Sequence, residues 1–214
     1  LMKWLTDHML VRGVNHFVPH AFSMNDFPDA DCPPHFYAQG HNPQFEGFKQ
    51  LMAYMNRLSY LFSDGKHQAD IAVLYHAEAE WAGAYMPIQK VARELMEHQY
   101  EFEIVSVEMM LDAQYTNQTF VINEHVFQTL VIPYAERMPD SLIKKLTALA
   151  ESGIQIIFIE EMVKESLEQT LLTHELRLLA SLTEVTTLRA LTDNTGLKVR
   201  DRLETSKALP YLRY

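Results

Sequence analysis

The chain has 214 residues, 48% hydrophobic, 21% charged and 11% aromatic, enough to bury a core without staples and too apolar for a disordered tail. Its 18 Lys and Arg stand against 28 Asp and Glu, a net charge of −10 that repels a phosphate backbone and excludes non-specific nucleic-acid binding. The single cysteine, Cys32, excludes an internal disulfide and a zinc site built from thiolates.

Residues 1–12 carry apolar side chains at helical spacing (Trp4, Leu5, Met9, Val11), and Gly13 is a good stop for that helix. The stretch GVNHFVPHAFS predicts one buried strand over 14–23, with Val14, His16, Val18 and His20 on one face and Pro19 forcing an end or a bulge. Residues 24–45 form a Pro- and aromatic-rich loop, and loops of that length inside a domain are usually functional or disordered. Its rings Phe27, Phe36, Tyr37 and Phe45 favour order. A helix is expected over 46–63, closed by Asp64-Gly65.

From residue 69 the pattern becomes strand and helix in alternation. ADIAVLYH, FEIVS, TLVIP and IQIIFIE are short apolar strands. Segments 87–99 and 139–152 are amphipathic helices that open on a proline, and FVINEHVF reads as a small hairpin. A helical stretch is expected over 162–182, while 183–214 shows no clear pattern. This alternation predicts an α/β fold, an open parallel sheet with helices on both faces. The first residue already lies inside the helical pattern, and the closing ALPYLRY resembles the start of a strand, so the chain is expected to be a piece of a longer protein. No apolar run has transmembrane length and the start is not a signal peptide, so no membrane partner is expected. One thiol fits a reducing compartment, and a cytoplasmic location is expected.

Ligands of open parallel sheets bind beyond the carboxyl ends of the strands. Here those ends run into Glu78 and Glu80, then Glu136, then Glu160 and Glu161. Glu78, Glu80 and Glu136 could line a polar crevice for a sugar, a cation or a partner loop, or could be the ordinary polar finish of solvent-facing strands. Gly83 stands alone after the first strand, without the Gly-rich turn that lets a backbone approach a phosphate, so a nucleotide cofactor is excluded. Cys32 lies outside the sheet region and no G-x-S-x-G elbow exists, which removes a nucleophilic hydrolase centre. His16 and His20 on a regular strand would stand about 13 Å apart, too far to share a metal, and no metal or other cofactor is expected. His20 and Ser23 instead suit the carboxyl end of a barrel strand. His35, Tyr37, His41 and Asn42 follow in the loop, where rings and polar donors suit a sugar, although a loop packed on itself would use the same residues.

The succession RGVNHFVPHAFS, PPHFYAQGHNPQF and ADIAVLYHAEAEWAG resembles the later part of large multidomain glycoside hydrolases, the beta-galactosidase-like and alpha-L-rhamnosidase-like proteins. The resemblance implies that residues 1–68 are the C-terminal fragment of a (β/α)8 barrel. It implies that 69–182 form a non-catalytic glutamine-amidotransferase-like (flavodoxin-like) domain, and that 183–214 lead toward a β-sandwich. It also implies a carbohydrate partner, with His20 near the sugar and His35, Tyr37, His41 and Asn42 as contacts. Glycoside hydrolysis needs two positioned carboxyl groups, which such barrels take from earlier strands than any present here. Asp26, Asp29 and Asp31 are more simply solvated loop acids, so no catalytic residue is assigned and the chain alone is expected to be inactive. One barrel strand with two helices would leave apolar surface exposed, and a homo-oligomer is the expected consequence. A non-catalytic carbohydrate-binding or assembly module with no enzymatic parent is the alternative.

Overall fold

The computed structural model describes residues 1–20, 36–168, 173–193, 196–200, 207 and 209. The chain divides into two compact units, residues 1–67 and 68–213.

The first unit is built on two helices, α1 (Met2–Leu10) and α2 (Phe45–Ser63). Lys3 Nζ donates to Asp7 Oδ2 at 2.6 Å and to Tyr54 Oη at 3.1 Å, and the Tyr54 hydroxyl donates to Asp7 Oδ1 at 2.6 Å, which ties the helices together. Among the described residues of this unit, the buried apolar side chains are Leu10, Ala38 and Met55. The strand expected over 14–23 is not there: residues 14–20 make no ladder and all but the half-buried Phe17 are exposed. A strand exists only through a neighbour that takes its N–H and C=O groups. Among the described residues of this unit none pairs with it. Residues 21–23 lie outside the described residues.

The second unit runs in chain order through β1 (Ile71–Tyr75), α3 (Ala79–Ala82), α4 (Ile88–Glu97), β2 (Phe102–Ser106) and α5 (Val107–Asp112). It continues with β3 (Gln114–Thr116), β4 (Thr119–Ile122), β5 (His125–Phe127), β6 (Thr129–Ile132), β7 (Arg137–Met138) and α6 (Asp140–Glu151). It closes with β8 (Gln155–Ile159), β9 (Glu165–Ser166), α7 (Thr173–Leu182) and β10 (Glu184–Thr186). Among the described residues the main sheet has five strands in the order β2-β1-β6-β8-β10, all parallel. The antiparallel strands β3, β4 and β5 contain the expected hairpin, and β7 pairs with β9.

Side chains of a strand alternate between faces, and the central strands are apolar on both. Ile71, Val73, Val131, Ile157 and Ile159 meet Val91 and Leu95 of α4 on one face. Ala72, Leu74, Leu130, Ile132, Ile156 and Phe158 meet Met110 of α5, Leu142 and Leu146 of α6 and Leu179 of α7 on the other. Helices therefore cover both faces, as the alternation predicts.

The stretch 183–214, expected as a linker, is in part integral to this unit. Its residues 184–186 form the edge strand β10, and Leu191 and Leu197 are buried against the sheet. Residues 197–200 then cross the amino ends of the three central strands. Lys198 N–H donates to Gln155 Oε1 at 3.0 Å, Thr129 Oγ1 donates to the Lys198 carbonyl at 3.2 Å, and the Arg200 amide and Nε each donate to the buried Asp70 carboxylate at 2.6 Å. The polar segment needed these partners to lie over the sheet edge at all. The helix expected over 162–182 is shorter: β9 occupies 165–166 and α7 begins at Thr173.

Candidate functional site

Two places bring predicted residues into a concavity. In the first unit an apolar cleft of about 230 Å³ opens between α1 and α2, lined by Leu5, Met9, Phe17, His20, Phe36 and Met52 among others. His20 is thus at the mouth of a mainly hydrocarbon cleft. Tyr37, His41 and Asn42 do not line it. They sit on a tight turn just ahead of α2, where Ala38 and Gln39 adopt positive φ of 45° and 53°. That turn is held by rings and by a local hydrogen bond. Phe36 stacks on Phe48 at 4.3 Å, Tyr37 meets Phe45 edge-on at 5.0 Å, and Asn42 Oδ1 accepts from the Gln44 amide at 2.8 Å. His41 is exposed at the end of the turn. His35 lies outside the described residues, as do Asp26, Asp29 and Asp31.

Among the described acids of the first unit, Asp7 is the one that ties its two helices together. The hydrogen bonds from Lys3 and then from Tyr54 hold its carboxyl below the usual carboxylate range. A general acid for glycoside cleavage needs the opposite shift, so Asp7 is a strut between helices.

The second place is at the carboxyl end of the main sheet. Taking the five parallel strands in chain order, the sheet order is 2-1-3-4-5, and the connections leave β1 and β6 in opposite directions. Doubly wound sheets bind their ligands at that switch point. A cleft of about 50 Å³ lies there, lined by Leu74 and Tyr75 at the end of β1 and His76 after it, by Pro133 to Ala135 after β6, by Glu80 and Tyr85, and by Pro87 to Gln89 at the start of α4. One wall is a short antiparallel ribbon. Met86 N–H donates to the Tyr134 carbonyl at 2.7 Å, Glu136 N–H to the Ala84 carbonyl at 2.8 Å, and Ala84 N–H to Glu136 Oε2 at 2.8 Å.

This geometry separates the three expected crevice acids. Glu80 lines the cleft. Glu78 is exposed beside it, its Oε2 3.9 Å from His76 Nε2. Glu136 is a brace: its carboxylate closes the ribbon and lies against Gly83, where an added Cβ would stand 2.6 Å from Oε2 at a φ of 148°. Only glycine fits there.

The side chain that sequence reasoning passed over is His76. Its side chain is 5% exposed, and neither ring nitrogen has a hydrogen-bond partner among the described residues. Burial lowers its pKa against the smaller upward pull of Glu78, which keeps the imidazole neutral near pH 7. A neutral imidazole presents one donor and one acceptor. The available signal was its position directly after an apolar strand. Among the described residues, no group of three His, Cys, Asp or Glu could hold a metal, and no helix is long and apolar enough to cross a membrane.

A family model described as alpha-L-rhamnosidase, glycoside hydrolase 106, matches residues 1–192. No curated protein matches the chain by sequence. Among solved structures, an exo-carrageenase of family GH42 from Bacteroides ovatus is similar at 12% identity and a TM-score of 0.50, covering 67% of this chain and 19% of its own. A GH42 beta-galactosidase is similar at 13% identity and a TM-score of 0.41, covering 57% of this chain and 18% of its own. The chain thus spans about a fifth of the length of the structures it matches.

Proposed function

The chain belongs to the alpha-L-rhamnosidase family of glycoside hydrolases, and from that premise we propose that it supplies part of the sugar site of such an enzyme without its catalytic carboxylates. The family match carries this reading, because it runs through both units rather than through one. In it, residues 1–63 are the closing elements of a (β/α)8 barrel. The cleft between α1 and α2, with Leu5, Met9 and Val18 exposed around it, is the surface that neighbouring barrel elements would cover. His20, His35, Tyr37, His41 and Asn42 are the proposed sugar contacts, offering ring faces to C–H groups and polar edges to hydroxyls. The second unit is a non-catalytic domain of the amidotransferase-like or flavodoxin-like kind. Its strand order and the position of Cys32 outside it support that assignment.

The test is turnover of an aryl alpha-L-rhamnoside by the 214-residue chain. No hydrolysis above the buffer rate is expected. Turnover that vanishes when Asp26, Asp29 or Asp31 is changed to Asn would refute the assignment of an acid-free site.

A second reading, an assembly module, is favoured by one feature. Tyr60, Leu61 and Phe62 at the end of α2 are exposed, Tyr60 to 74%. A run of large apolar side chains in water is a surface for a second copy of the chain. Light scattering tests it, since a monomer at high concentration removes the assembly reading.

A further inference from the structure

We propose that the cleft at the switch point of the α/β unit is an accessory carbohydrate-binding site, in which a ring nitrogen of His76 holds one hydroxyl of a neutral sugar. Three observations converge on it. The cleft occupies the place where doubly wound sheets bind ligands, between the ends of β1 and β6. The first turn of α4, a helix of 10 residues, forms one side; its Lys90 amide donates to the Pro87 carbonyl at 3.0 Å, which leaves the Ile88 and Gln89 amides to face a ligand. The His76 side chain, buried and without a hydrogen-bond partner among the described residues, lines the cleft. A buried polar group left unsatisfied costs stability, and such groups in native proteins call for an explanation.

The chemistry of the lining selects the ligand class. A neutral imidazole offers a donor and an acceptor, which a hydroxyl answers with its own acceptor and donor. The amides of α4 donate to hydroxyl oxygens, and Glu80 accepts from hydroxyl hydrogens. Tyr75, Tyr85 and Tyr134 offer ring faces to C–H groups. An anion would suit the helix N-terminus alone, but Glu80 in the wall, Glu78 beside His76 and the uncharged imidazole all oppose it. The volume of about 50 Å³ admits a few waters or the edge of a sugar ring, and not a whole ring. The two ring nitrogens are buried, so a sugar reaches one only when exposed lining side chains such as Tyr75, Glu80 or Tyr85 change rotamer.

The experiment is a titration of the 15N-labelled 214-residue chain with L-rhamnose and with D-galactose, reading the His76 ring nitrogens by long-range proton–nitrogen correlation. Acetate and sulfate are run in parallel. A saturable shift of the His76 signals with a sugar and not with the anions is expected. His76→Phe should weaken binding at least tenfold as read on the α4 amides, and Tyr85→Ala serves the same purpose if His76→Phe does not fold. Val126→Ala, on the hairpin strand β5 that does not line the cleft, should leave the titration unchanged, and the His76 and α4 signals report this site apart from the contacts proposed in the first unit. Binding here is independent of turnover, so a failure of the glycosidase reading does not remove it. No saturable shift up to roughly 100 mM sugar, a response to the anions alone, or sugar binding unaltered by both variants would overturn the proposal.

Discussion

The two units have similar apolar fractions, and their described residues bury that apolar sequence very differently. In the second unit the strands β1, β6 and β8 are apolar on both faces and each face has its own cluster of covering helices. In the first unit two amphipathic helices meet through a polar triad of Lys3, Asp7 and Tyr54, while Trp4, Leu5, Val18 and Leu61 stay exposed. A sheet gives a helix a broad apolar floor, whereas two helices of this length give each other one narrow seam. The apolar stripe is necessary for burial, but the partner surface decides how much of it is achieved.

That contrast can be broken by mutation. Phe158→Ala, in the middle of the main sheet, should cost the second unit about 3–5 kcal/mol in urea unfolding. The same measurement on Met55→Ala should barely move that transition, because Met55 belongs to the other unit. A common loss from both variants would show that the units unfold as one. Removing the clasp over the sheet edge is expected to come next: Asp70→Ala should cost ~1.5–3 kcal/mol, since it strips the amide and side-chain hydrogen bonds of Arg200 from a carboxylate. Gly83→Ala should cost about 1–3 kcal/mol through the collision with Glu136, and Glu136→Ala in the same chain should recover part of it. Independent, additive losses would place the strain elsewhere.

The smallest effect concerns pH. His76 has a folded pKa below its unfolded one, so the unfolded chain binds more protons as the pH falls below the ordinary histidine range. Its neutral form contributes fully near pH 7.5. That contribution falls away from about pH 6.5 downward until the folded pKa is passed. The stability of the wild type relative to His76→Phe should therefore fall on going from pH 7.5 to 5.5. A difference that does not change with pH would mean that the ring is solvated.

The sequence made the regular parts of the α/β unit legible for a simple reason. β1, β2, β6 and β8 are short apolar runs bounded by polar or turn residues, and α4 and α6 open on proline. β10 was missed because Glu184, Val185 and Thr186 form an edge strand with no continuous apolar signal. The strand expected over 14–23 failed for the converse reason: its alternation is present, yet pairing is a property of a neighbour and not of the segment. The crevice acids at the strand ends could be read directly. Their division of labour could not, because Glu136 is committed by a glycine more than fifty positions away. His76 was visible as a residue after a strand, but its burial and lack of partners depend on the whole rim.

The clasp formed by residues 197–200 has a consequence for how the molecule comes into being. During synthesis the buried Asp70 and the starts of β6 and β8 leave the ribosome long before Lys198 and Arg200 can reach them. A nascent chain halted after β10 would thus hold a nearly finished sheet with one rim bare, and residues 197–200, emerging after it, would act as the fastening that turns an open intermediate into the native unit.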